Sequence, residues 1–146
     1  MSTQANAALA HAIYDAFNNN DFQAILALVD DDIELVLIPF DQHFYGLEGF
    51  REFMQGFKAA FPDCTIKLVN QVASDAQVVN EFVVNGTHSG ALVNPRGKIP
   101  ATGRSIGYCV CEVWEVKDGK LTKVRNYFDT TTLLRQLGVV PGPGES

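Results

Sequence analysis

Apolar positions fall into two regimes along the chain. In the first sixty residues they recur at three- and four-residue steps. Leu9, Ala12, Ile13, Ala16 and Phe17 mark one helix that stops in Asn18-Asn19-Asn20. Asp21 is placed to cap a second, shorter helix carrying Phe22, Ile25, Leu26 and Val29. An acidic run, Asp30-Asp31-Asp32, leads into the strand-like Ile33-Glu34-Leu35-Val36-Leu37-Ile38, which Pro39 ends. A third helix is read from Phe50, Phe53, Met54, Phe57 and Phe61, and Pro62 terminates it.

From Cys64 onward the pattern is strand-like. Thr65 to Val72 and Gln77 to Thr87 flank the turn Ser74-Asp75-Ala76, and Arg104 to Val116 and Leu121 to Phe128 flank Lys117-Asp118-Gly119-Lys120. Asp-Gly between apolar runs is a strong hairpin signal, because a type I′ turn needs positive φ at both central positions. A looser connection with Gly90, Pro95, Gly97, Pro100 and Gly103 precedes the third of these strands. Thr130 to Gly138 reads as a short helix with a glycine stop. Helices first and strands later predict an α+β fold, with helices packed on one face of a curved antiparallel sheet.

The late strands are apolar on both parities: Ile106, Tyr108, Val110 and Trp114 on one, Cys109, Cys111 and Val113 on the other. A doubly apolar antiparallel sheet is expected to cover its second face too, most simply with a second copy of the chain. The 146 residues form one expected domain, with 3–140 ordered and a Pro/Gly tail at 141–146 that has nothing to pack with.

A net charge of −6 without any Lys/Arg cluster argues against nucleic acid as a partner. No apolar run reaches the roughly 20 residues that span a bilayer, and the N-terminus carries no secretory pattern. Cys64, Cys109 and Cys111 are odd in number, and the last two share a strand face, so reduced structural thiols and a cytoplasmic location are expected. Metal, phosphate-loop and nucleophile-elbow motifs are missing from the sequence, and no cofactor is expected.

Four segments together carry a family resemblance: Gly86-Thr87-His88-Ser89-Gly90, Ile99-Pro100-Ala101-Thr102-Gly103-Arg104, Asp118-Gly119-Lys120-Leu121, and Asn126-Tyr127-Phe128-Asp129 with Leu133 to Gly138. In this order they resemble the nuclear transport factor 2-like superfamily and, within it, the SnoaL-like polyketide cyclases, over about residues 3 to 140. The resemblance implies a cone-shaped (cystatin-like) fold with an internal apolar pocket, commonly a homodimer. It also implies a general acid/base at the position of Asp129, which in characterised cyclases serves an intramolecular aldol closure. Related limonene epoxide hydrolases add an Arg-x-Asp on a neighbouring strand. The strand Asn80-Glu81-Phe82-Val83-Val84 has none, which counts against epoxide hydrolysis.

Asp129 has two open readings, a helix N-cap with a lowered pKa or a pocket acid whose pKa is raised by burial. Tyr127 and Arg125 alternate with it and share its face, forming a candidate polar focus. His88 is a candidate proton carrier or a rim histidine. Tyr14, Phe50, Phe53, Phe57, Tyr108 and Trp114 are the expected pocket lining, with Arg125. Glu112, amid apolar neighbours, is a second carboxylate of interest, unless a salt bridge to Arg125 or Arg104 accounts for it. His43 sits in an aromatic loop, and His11 on a solvent-facing stretch of the first helix. The expected activity is that of a cofactor-independent cyclase or isomerase acting on an apolar carbonyl compound. The alternative is a non-catalytic domain that binds an apolar ligand or only dimerises.

Overall fold

A computed structural model describes residues 2–95 and 97–139. The expected mobile tail, 141–146, lies outside the described residues. Helix α1 (Thr3–Asn18) opens on Ser2, whose side chain accepts from the Ala5 amide at 3.0 Å. It buries Leu9, Ile13, Tyr14 and Phe17 against the sheet. Asp21 caps α2 (Phe22–Ala27) as expected, accepting from Ala24 N at 3.1 Å. Helix α3 (Gly46–Ala60) buries Phe50 and Met54, with Phe61 at its C-terminal end. Helix α4 (Thr130–Gln136) follows the last strand.

The described residues hold eight strands, in chain order β1 (Val29–Leu37), β2 (Gln42–Tyr45), β3 (Thr65–Ala73), β4 (Gln77–Thr87), β5 (Leu92–Asn94), β6 (Gly97–Ile99), β7 (Ser105–Lys117) and β8 (Lys120–Phe128). Six of them form one sheet in the order β2-β1-β8-β7-β4-β3, while β5 and β6 make a separate hairpin. The fold is α+β, with helices laid on one face of the sheet. Among the described residues no helix is long and apolar enough to cross a membrane.

Four expectations need correction. Val29, expected on the second helix, is the first residue of β1. The sheet is mixed, because β1 pairs in parallel with β8; apolar patterning within a strand says nothing about its direction. The segment around His43 is strand β2 paired to β1, with His43 opposite Val36. The looser connection carries the β5–β6 hairpin, with Leu92 opposite Ile99. Its strands are too short to show a period of two.

The Asp118-Gly119 turn forms as expected, with φ of 53° and 75°, closing Lys117 on Lys120. The register then slips between Glu115 and Val116: Val116 faces Leu121, but Glu115 faces Lys123. Thr122 is the extra residue of a β-bulge, and its hydroxyl donates to the Glu115 carbonyl at 3.0 Å. Beyond the bulge, Glu112 lies opposite Asn126 on one side and Asn80 on the other. Directly opposed residues share a sheet face. Asn80, Glu112 and Asn126 therefore form a polar row across three adjacent strands, and all three are buried.

Candidate functional site

The inner face of the sheet and helices α1 and α3 enclose a cavity of about 330 Å³. Exposed lining residues on α3 and the β5–β6 hairpin, Glu52, Gly56, Ala59 and Val93, mark its mouth. Aromatic rings wall the interior. Phe44, Phe53 and Phe57 run along one side with centroids 5.4 and 6.5 Å apart, and Tyr14 lies 5.1 Å from Phe82 and 5.2 Å from Trp114. The helical spacing read from Phe50 to Phe61 thus supplies two kinds of ring. Phe61 is buried away from the cavity, while the buried Phe50 and the half-buried Phe53 and Phe57 line it.

Glu112, 7% exposed, lines this cavity from the middle of β7. Its Oε1 accepts from the Tyr14 hydroxyl at 2.7 Å and from Trp114 Nε1 at 3.1 Å; its Oε2 accepts from Asn126 Nδ2 at 2.8 Å. Burial pushes the Glu112 carboxyl above its ordinary range, and the donors from Tyr14, Asn126 and Trp114 pull the other way. Two donors fill the lone-pair directions of Oε1, whereas Oε2 keeps one free. Burial, followed by the charge of Glu112, holds the Tyr14 phenol well above its usual pKa, so Tyr14 stays a donor at neutral pH. Tyr108 also lines the cavity; it is buried, burial raises its pKa, and no hydrogen bond among the described residues engages its hydroxyl.

Of the residues expected at a site, Tyr14, Phe50, Phe53, Phe57, Tyr108 and Trp114 line the cavity. Arg125, Tyr127, Asp129 and His88 do not. Arg125 and Tyr127 do share a face, but it is the outer one: Arg125 lies opposite Val113, and Tyr127, 40% exposed, opposite Cys111; Asp129 lies beyond the end of β8. Arg125 donates to Glu115 Oε2 at 2.6 Å, and Arg104 donates to the Gln136 carbonyl at 2.7 Å, so the alternative of a salt bridge accounting for Glu112 does not hold.

Asp129 takes the cap geometry. It is exposed, with Oδ1 accepting from Thr131 N at 3.0 Å and Oδ2 from the Thr132 hydroxyl at 2.8 Å. The Thr132 hydroxyl, followed by the backbone amides of Thr131 and Thr132, holds its carboxyl below the usual range. Replacing Asp129 by alanine should lower the melting temperature by about 3–5 °C through loss of the cap. Differential scanning calorimetry would read this.

His88 is a buried staple. Its amide donates to the Arg104 carbonyl at 2.9 Å, its carbonyl accepts from Gly103 N at 2.8 Å, and its Nδ1 accepts from Thr102 N at 3.1 Å. The Thr102 amide fixes Nδ1 as the acceptor, so the proton sits on Nε2, which is buried and has no hydrogen-bond partner among the described residues. Burial therefore lowers the His88 pKa. The unfolded chain binds this proton first, so the stabilisation is complete above about pH 6.5 and is lost as pH falls toward the folded-state pKa. Urea midpoints should drop on acidification below pH 6.5, with a contribution from His88 of at most about 1.4 kcal/mol per pH unit. His88→Gln should flatten that slope.

His43 is exposed between Glu34 and Asp41, at 3.0 and 3.2 Å, where the hydrogen bonds it donates to Glu34 and then to Asp41 raise its pKa. His11 is exposed on α1. Among the described residues no group of three or more His, Cys, Asp or Glu could hold a metal ion. Asn126 and Asn80 went unrecognised in the sequence. Only the cross-strand register brings them beside Glu112, although a lone acid between apolar neighbours did mark Glu112 itself.

Comparison with known proteins gives one family match: the model of the SnoaL-like polyketide cyclases covers residues 7–137. No curated protein matches the chain. A candidate polyketide cyclase from Xanthomonas campestris is 26% identical, with a TM-score of 0.80 over 92% of this chain and 98% of that one. An epoxide hydrolase of the LEH-like type from M. tuberculosis is 22% identical, with a TM-score of 0.72 over 92% of this chain and 90% of that one. A ketosteroid isomerase-like fold from Catenulispora acidiphila, in complex with trimethylamine, is 16% identical, with a TM-score of 0.75 over 90% and 93%. The last two share the fold.

Proposed function

Because the chain belongs to the SnoaL-like polyketide cyclase family, we propose that it is a cofactor-independent enzyme acting on an apolar carbonyl compound by proton transfer. Glu112 replaces the Asp129 of the sequence reading as its acid/base. The observation that carries this is a buried carboxylate facing an aromatic cavity, with one lone pair of Oε2 unclaimed. Desolvation makes that oxygen a stronger base than an exposed carboxylate. Tyr14, Trp114 and Asn126 hold it in one orientation without taking its proton. Tyr108, whose hydroxyl no hydrogen bond among the described residues engages, lines the same cavity and can donate to a polar atom of the substrate away from Glu112.

Proton transfer can be read before the natural substrate is known. In D2O, the protein should speed deuterium uptake α to the carbonyl in one or more of a panel of cyclic ketones and 1,3-diketones, followed by NMR. Glu112→Gln should slow that exchange by about 10²-fold or more, and Asp129→Ala should leave it within about twofold. The reverse ranking would return the role to Asp129. Catalysis unchanged by either substitution would favour the binding-domain alternative.

Two further readings belong to the same proposal. The outer sheet face exposes Val69 (57%), Val72 (60%) and Tyr127 (40%), and we read it as a homodimer surface. A monomer at micromolar concentration in sedimentation would refute this. Cys64, Cys109 and Cys111 are free thiols, which supports a cytoplasmic setting.

A further inference from the structure

We infer that the cavity takes a ligand bearing a positive charge, a substituted ammonium group seated on Glu112 and the rings of Tyr14, Trp114 and Phe82. This rests on reading the cavity as a small-molecule site, but not on Glu112 moving a proton.

Both ionisable carboxyl groups of the cavity wall are acidic residues, Glu112 inside and Glu52 at the mouth, and among its described lining residues there is no Lys, Arg or His. Salt bridges among the described residues use Glu34, Asp41 and Glu115 and leave Glu112 and Glu52 unpaired with any cation. When ionised, a buried carboxylate held only by neutral donors carries a net negative charge in a low-dielectric space, and a cation beside it favours that form. That arrangement is costly in the empty protein and attractive to a cation. The rings beside it strengthen the preference. Tyr14, Trp114 and Phe82 all line the cavity, and Tyr14 is tilted at 48° to Trp114 and at 53° to Phe82, so the rings do not stack flat on one another. Aromatic faces carry the negative part of their quadrupole, and a desolvated ammonium among them gains most when a carboxylate lies behind the rings. A neutral ligand of the same shape uses the apolar wall but neither of these terms.

The test compares two probes of one shape, phenyltrimethylammonium and its neutral carbon isostere tert-butylbenzene. Trp114 is the sole tryptophan of the chain, so its fluorescence reports directly on the cavity. The ammonium compound should bind the native protein at least about tenfold more tightly than the isostere. In Glu112→Gln the preference should shrink to about threefold or less, with tert-butylbenzene binding retained as the check that the cavity still folds. Equal or tighter binding of tert-butylbenzene to the native protein overturns the charge inference and leaves the small-molecule site standing. Failure of both probes to change Trp114 emission up to the solubility limit overturns both. A cation preference that survives in Glu112→Gln removes Glu112 from the proposal. The native protein's comparison decides the main question even where the variant does not fold.

Discussion

Glu112→Ala should destabilise the protein by about 3–5 kcal/mol, measured as the loss in unfolding free energy from urea titration at constant m-value. Three buried donors, the Tyr14 hydroxyl, Trp114 Nε1 and Asn126 Nδ2, converge on this one side chain. Removing it takes the acceptor from all of them at once, and each orphaned donor costs about 1–3 kcal/mol when buried. The cavity alongside admits water, which keeps the total below the sum. Tyr14→Phe is the informative partner. It removes one donor and leaves Glu112 with two, so its cost should stay near 1–2 kcal/mol. In the double variant the two losses should be clearly less than additive, since the pair shares a bond. A loss below about 1 kcal/mol for Glu112→Ala would show that the polar row is already hydrated and that its protein donors hold nothing.

Gly90→Ala should be comparably damaging, at about 3 kcal/mol, for an unrelated reason. A methyl group at Gly90 would lie 1.9 Å from the Ala59 carbonyl oxygen, a backbone atom that no rotamer change can move aside. The contact is close because Ser89 N and Gly90 N both donate to the Ala60 carbonyl, at 3.2 and 3.1 Å, joining the end of α3 to the approach of the β5–β6 hairpin. Relieving the clash means giving up those bonds. Thermal unfolding by circular dichroism would show a large fall in midpoint. Ala59 also lines the cavity mouth, so ligand affinity should fall with stability. A variant as stable as the native protein would mean that this junction is looser than its geometry requires.

Most of the architecture was legible in the chain because it is written locally. The Phe50–Phe61 stripe, the Asp21 cap, the end of α3 before Pro62 and the Asp118-Gly119 turn each need only a few neighbouring residues to be understood. The candidate site was harder to read, and the reasons are specific. Alternation placed Arg125 and Tyr127 on one face of β8, while Asp129 falls beyond the strand as the cap of α4. It did not say which face, because β7 is apolar on both sides and only the helices decide which side is inside. Counting back from the turn puts Glu112 opposite Arg125, which would have allowed the salt bridge weighed as the alternative for that acid. The bulge at Thr122 moves the register by one, so Asn126 arrives instead and Arg125 goes to Glu115. Nothing in the local sequence announces that extra residue. His88 was misplaced for a similar reason. Its bonds to Thr102, Gly103 and Arg104 span a hairpin whose strands are too short to leave a pattern.

The bulge also means that β8 carries slack. Thr122 is the residue left over when Val116 pairs with Leu121 and Glu115 with Lys123, so a chain lacking it retains every pairing beyond that point, Glu112 with Asn126 included. The strand can change length at this position while the chemistry of its inner face stays fixed. Relatives that differ here by one residue are therefore to be aligned by which side chain faces the cavity, and counting from the turn will misplace the acid by one.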